Sequence, residues 1–408
     1  SLKAEELSAT VSGGRIVEVQ AEGRAVLESR ERAQVQASRT LGGERLDAHF
    51  DSSSRLSSVE ATGGAEMVLA GGERLTSEWI QNELSGTVST AENSRLEVGE
   101  YLLEGSYFVV EQGEQIRFKT DRPASMKMLS GSSGGLQTEA EFSLETRAIL
   151  SLVHIGEAEF MQGGRIGKAD RAELRSGGNR VFLAGNASVQ DAGFQIDATE
   201  IILDQEEESF VALGTVRTLW SESSEPVLVL SGQAEGEQGR ISFSERAELW
   251  SGNTHILAES IDVDPEQRSL SALGEVVSEF DDLRFWSDRM AFEEQSGLLR
   301  HVGNVRALSD DIELTANEVE VVLENGETSE IVAVGNVRLN GQDFNGSSDR
   351  AVYVRATGTI TLTGENAEVL DATNGMVRGC RLVFNVESRD AFVDSETNCR
   401  VLTRRSVN

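Results

Sequence analysis

The chain has 408 residues, 38% of them apolar and only 5% aromatic, with 69 acidic against 37 basic side chains and a formal net charge of −32. That balance excludes nucleic-acid binding, which needs clustered Lys and Arg against phosphate, and it opposes adsorption to an anionic membrane surface. No apolar run is long enough for a signal peptide or a membrane span, so the sequence reads as cytosolic or as having lost a targeting segment.

Taken in order, residues 1–135 carry a degenerate strand pattern, as in Leu46-Asp47-Ala48-His49-Phe50 and Leu75-Thr76-Ser77-Glu78-Trp79-Ile80. The clearest break is Asp121-Arg122-Pro123-Ala124 followed by Ser130-Gly131-Ser132-Ser133-Gly134-Gly135, which reads as a linker or as a large loop inside one array. Residues 136–402 are more regular, and 403–408 form a polar, basic tail that reads as unstructured, with Thr403-Arg404-Arg405 capping the last strand edge or lying beside an anionic headgroup as the alternatives. In the regular part a short apolar stretch built around a glycine recurs, for example Ile331-Val332-Ala333-Val334-Gly335-Asn336-Val337-Arg338-Leu339. The glycines at 156, 185, 214, 274, 303, 335 and 364 are separated by 29, 29, 60, 29, 32 and 29 residues. A period near 30 with one doubled interval marks a repeat array.

Each unit reads as a hairpin of two segments of about 12 residues, longer than strands usually run flat, and each segment is interrupted by residues that permit a bend. The glycines Gly185, Gly214, Gly274, Gly303, Gly335 and Gly364 are the expected crease. The fold class is therefore all-β: an elongated antiparallel β-solenoid of bent hairpins. Alternation with period two then assigns an inward face. That face comprises Phe194, Ile196, Ile201, Leu203, Val216, Ile241, Phe243 and Leu249, and then Leu283, Phe285, Met290, Phe292, Val305, Ile312, Leu314, Val319, Val321 and Leu323. It continues through Val337, Leu339, Tyr353, Ile360, Leu362 and Val369. Small residues two before the glycine, at Ala212, Ala272 and Ala333, leave lateral room.

Cys380 and Cys399 flank a polar turn near Ser388-Arg389-Asp390, which suits either a cross-strand disulfide or two buried thiols. The acidic turns, such as Asp204-Gln205-Glu206-Glu207-Glu208, lack the spaced oxygen ligands of a calcium loop. His49, His154, His255 and His301 are too scattered for a metal site, and the inward His301 reads as a satisfied structural residue. No nucleophile elbow, phosphate loop or dinucleotide fingerprint is present, and no cofactor is expected.

Gly-Asn-Val-Arg-Leu (335–339), Asp-Phe-Asn-Gly-Ser-Ser-Asp-Arg-Ala-Val-Tyr (343–353) and Gly-Thr-Ile-Thr-Leu-Thr-Gly (358–364) resemble the OstA-like periplasmic lipopolysaccharide-transport proteins, namely LptA, LptC and the N-terminal domain of LptD. The resemblance implies a β-jellyroll of V-shaped section, the β-taco, whose apolar trough shields the acyl chains of lipopolysaccharide. It also implies a periplasmic, non-enzymatic bridge from an inner-membrane transporter to an outer-membrane translocon, joined through edge strands at the two ends. This chain is more than twice as long as the short bridge proteins, which leaves self-association open. Two other classes fit the residues alone. One is a structural solenoid fibre or spacer with a closed core; the other is a carbohydrate-active solenoid enzyme using a carboxylate pair such as Asp262 and Asp264.

Overall fold

The structure is a computed structural model that describes residues 1–404 apart from 31–37, 70, 176–178, 222–224, 281, 310–311, 325–326, 373–374, 387, 389 and 394–400. It contains 34 strands, one 3-10 turn at Arg355–Thr357, and no α-helix among the described residues. Strand pairing is antiparallel, as hairpins with short polar turns require. The chain divides into two compact units, Ser1–Glu208 and Ser209–Asn408, where composition had suggested a division at 135/136.

The first unit begins with β1 (Leu2–Lys3), β2 (Glu6–Ser12), β3 (Arg15–Arg30), β4 (Ser38–Phe50), β5 (Leu56–Val68) and β6 (Arg74–Glu83). From residue 87 to residue 143 each hairpin arm is split at its bend into two short strands. These are β7 (Thr87–Thr90), β8 (Ser94–Val98), β9 (Tyr101–Gly105), β10 (Val109–Gln112), β11 (Gln115–Thr120), β12 (Ala124–Met128), β13 (Gly131–Gly135) and β14 (Gln137–Ser143). They pair into two walls, β7–β10–β11–β14 and β8–β9–β12–β13. β15 (Ile149–Gln162) rejoins both walls, through Ile149–Ile155 to β14 and Glu159–Gln162 to β13. β16 (Arg165–Arg175), β17 (Arg180–Asp191) and β18 (Phe194–Asp204) complete the unit. The Ser/Gly stretch 130–135, read from composition as linker or loop, is thus mostly strand β13, paired on both sides. Its residues are small because the neighbouring backbone is close: a Cβ on Gly131 would run into the Met161 carbonyl.

In the second unit β19 (Ser209–Trp220) and β20 (Val227–Glu237) lead into a shorter split section, β21 (Arg240–Ser244), β22 (Ala247–Ser251), β23 (Thr254–Ala258) and β24 (Ser260–Asp264). Long strands follow: β25 (Ser269–Phe280), β26 (Leu283–Glu293), β27 (Leu298–Leu308), β28 (Ile312–Glu324), β29 (Glu327–Gly341), β30 (Phe344–Val354), β31 (Thr359–Asp371) and β32 (Gly375–Asn385). Each pairs with the next. At each crease the register slips, so that Gly303 and Asn304 lie between paired Val302 and Val305, and Gly335 and Asn336 between Val334 and Val337. Both residues of each pair are left-handed, at φ +85° and +48° for Gly303 and Asn304 and +79° and +51° for Gly335 and Asn336. Only glycine, and next to it asparagine, adopts this conformation at little cost. The asparagine also reaches across: Asn304 Nδ2 donates to Asp288 Oδ2 at 3.0 Å, as Asn186 does to Asp170 at 2.9 Å.

At the last edge the described part of the tail follows the capping alternative. Leu402–Arg404 forms β34, pairing with Met376–Arg378 of β32, while β33 (Ala391–Val393) pairs with Leu382–Phe384. Part of the tail is therefore ordered, because an edge strand leaves backbone groups unpaired that a following segment can satisfy.

Candidate functional site

Most inward-assigned residues are buried: Ile196, Ile201, Leu203, Val216, Ile241, Phe243, Leu249, Phe285, Met290, Val305, Leu314, Val319, Val321, Val337, Leu339, Ile360, Leu362 and Val369 are each at most 9% exposed. Phe194, Leu283, Phe292, Ile312 and Tyr353 are half-buried. All five stand first or next to last in their strands, at hairpin ends where the packed interior gives way to a rim. Leu323 is also only half-buried. A bulge follows it across the hairpin, where the register slips between Val322 and Leu323. Of the crease glycines, Gly185, Gly214, Gly274, Gly303 and Gly335 have φ between +76° and +91°, whereas Gly364 departs from the set at +154°.

Three of the half-buried residues surround one feature. In the second unit a cavity of about 190 Å³ lies between two faces. Leu283, Ala307, Ile312, Leu314 and Leu339 form one; Ile331, Ala333, Ala351, Tyr353 and Ile360 form the other. The faces stay apart because inward positions of adjacent strands are small: Ala333 pairs with Ala351, and Leu339 with Gly346. Around it stand Asp282, Ser309, Thr328, Arg355 and Val386. Alternation from Ala333 would have found Ile331. It could not have found Thr328, because the same bulge skips Ser329 and pairs Thr328 with Leu323.

Two histidines are built into the interior. His301 is fully buried, stacks on Phe285 at 4.5 Å, and places its ring nitrogens 3.0 Å from Ser287 Oγ and 3.3 Å from Ser278 Oγ. In the first unit His154 sits between Thr138 Oγ1 at 2.9 Å and Ser133 Oγ at 3.0 Å. Burial disfavours the imidazolium and pushes His154 down to about 4 and His301 to about 3. Both serve as neutral hydrogen-bond bridges.

Outward carboxylates are tied to arginines on neighbouring strands. Arg180 Nε donates to Asp204 Oδ2 at 2.6 Å and holds that carboxyl below its usual range. Asp264 accepts from Arg240 at 2.9 Å. Among the described residues no group of three or more His, Cys, Asp or Glu could hold a metal ion, and no helix is long and apolar enough to cross a membrane. Cys380, on β32, is disulfide-bonded; Cys399 lies outside the described residues.

Residues 284–390 match the family described as LptA/(LptD N-terminal domain) LPS transport protein. This segment is LptA-like. It runs through the same strands as the cavity, whose lining extends from Asp282 to Val386. Among solved structures, one similar chain is LptH of Pseudomonas aeruginosa, titled the LptA homologous periplasmic component of the conserved lipopolysaccharide transport device. It is 14% identical over 30% of this chain and 94% of that chain, with a TM-score of 0.27. No curated protein matches the sequence.

Proposed function

We propose that the protein is a periplasmic carrier of lipopolysaccharide, holding acyl chains between the two apolar faces and forming part of a bridge from an inner-membrane transporter to an outer-membrane translocon. The observation that carries this reading is the open apolar cavity inside the LptA-like segment. At about 190 Å³ it exceeds an engineered apolar cavity of ~150 Å³ that stays dry and takes up benzene. Each methylene withdrawn from water there contributes ~0.8 kcal/mol. Leu, Ile and Ala side chains grip no single point of a chain, which suits a cargo that slides. Partners would meet the terminal strands, where Leu7 and Val11 of β2 are 60% and 61% exposed, and Phe392 of β33 is 63% exposed. Such edges accept added strands.

The test is a photo-crosslinking side chain at Ile331, in the cavity, compared with one at Val352, whose side chain alternates to the outer face. Lipopolysaccharide should be captured at 331 and not at 352. Capture of protein alone at 331, or equal lipid capture at both positions, would defeat the reading.

A further inference from the structure

In the first unit an ion pair crosses from one wall to the other. Arg147, in the turn between β14 and β15, reaches Glu73, in the turn between β5 and β6, with Nε 3.4 Å from Oε1. Its Nη2 donates to the Gly71 carbonyl at 2.6 Å, and Glu73 Oε2 accepts from the Gly71 amide at 3.0 Å. The two turns belong to opposite walls, since Arg74 beside the first pairs with β8 and Ile149 beside the second pairs with β14. The pair thus straps the two rims together, in the unit whose interior is filled by Phe108, Phe118 and Phe142. The contact is built in. The Glu73 side chain is 1% exposed, and a Cβ on Gly99 would stand 3.0 Å from Arg147 Cβ. Arg147 itself is left-handed at φ +56°, a conformation a non-glycine residue keeps only where its surroundings impose it.

The second unit carries the same two charges in the same register without the contact. From the Glu73 turn to the Arg147 turn the chain passes five bent arms: β6, β7 with β8, β9 with β10, β11 with β12, and β13 with β14. From Asp282, between β25 and β26, to Arg355, after β30, it again passes five: β26, β27, β28, β29 and β30. Rims that far apart along the chain meet because strand twist carries opposite walls past one another. Here too the acid and the arginine stand on opposite rims: Asp282 adjoins Leu283 on one face of the cavity, Arg355 follows Tyr353 and Val354 on the other, and both line the cavity. Both are exposed, and among the described residues neither forms an ion pair; Arg355 Nη1 lies 3.5 Å from the Thr328 carbonyl oxygen.

Resting on the carrier reading above, we infer that Asp282 and Arg355 are the two halves of a latch that closes across the groove once an alkyl chain lies in it, with Glu73 and Arg147 showing the closed form. Water leaves the mouth as the chain enters, and in the lower dielectric the two charges attract more strongly. A contact made only after the chain is seated slows its escape and leaves its entry alone.

The experiment follows release of bound N-phenylnaphthylamine from the full chain by stopped-flow fluorescence. The dye is uncharged, so neither side chain acts by attracting or repelling it. Asp282→Asn and Arg355→Gln should each speed release about three- to five-fold, the upper end of what an exposed ion pair contributes, while association keeps the parent rate. Asp282→Arg combined with Arg355→Asp exchanges the charges and should restore slow release, a recovery that a merely damaged groove would not show. Added salt should speed release from the parent chain and leave both single variants unmoved. Unchanged release in either single variant, or a charge-exchanged chain that releases as fast as they do, would overturn the latch while leaving the carrier reading intact. A parent chain that takes up no dye would overturn both.

Discussion

The interior around residues 101–142 and the groove around 282–386 use the same alternating strands and end differently. In the first, Phe108 and Phe118 meet edge to face at 4.6 Å, Tyr101 and Phe142 lie 5.7 Å apart, and Phe108, Phe118, Phe142 and Met126 are all at most 2% exposed. In the second the corresponding space is bordered by Ala307, Ala333 and Ala351, and Ile331 and Tyr353 remain half-buried. Strand alternation determines which side chains point inward, and their size determines whether the inside closes. A bent-hairpin section can therefore be a packed core in one stretch and a binding groove in another.

Substitutions can widen or erase that contrast. The largest effect belongs to Val337→Asp, which would bury an unpaired carboxylate at a site 1% exposed and outside the cavity. Urea titration should show a loss of several kcal/mol, or failure to fold. Phe118→Ala should cost about 3–5 kcal/mol, whereas Ile331→Ala, at the open groove, should cost under about 2 kcal/mol. Equal costs would mean that the groove packs as tightly as the aromatic interior.

The buried histidines give the next effect. Their folded values lie below the ordinary 6.5, at about 4 and about 3, so between those values and 6.5 the unfolded chain binds protons that the folded chain does not. Stability is complete above pH ~6.5 and is lost as pH falls; at pH 5 each histidine removes about 2 kcal/mol. His301→Asn should flatten half of that slope in denaturation curves recorded from pH 7 to 5. An unchanged slope would show that His301 is solvated. A smaller effect is expected at the crease, where Gly303→Ala forces a side chain into a left-handed position against Asp288. It should cost about 1–2 kcal/mol. Ala351→Leu is the converse of Phe118→Ala: it should leave the melting temperature nearly unchanged and abolish dye uptake by filling the groove.

Much of this could be read from residues alone. The glycine period announces the bent hairpins, because the first of two successive left-handed residues is glycine at each of these creases, whereas the second is Asn304 or Asn336 at some and Glu157 or Glu275 at others. Alternation places Val305, Val319 and Val337 inside, because strand geometry ties side-chain direction to parity. Parity fails at a bulge, and the bulge at Ser329 puts Thr328 in the cavity lining without a mark in the sequence. Composition likewise reads Ser130–Gly135 as a break, since Gly and Ser are common in loops. Only the approach of Met161 shows that small residues are needed there for strand packing.

Local chemistry by itself determined the all-β class, the repeat, the creases and the inward face, since each depends on backbone conformation over a few residues. The tertiary structure decided where the inside stays open and which polar groups reach it. Those features depend on distances between residues far apart in the chain, such as Leu283, Ile312 and Tyr353 around one cavity, and on whether the side chains between them fill the space.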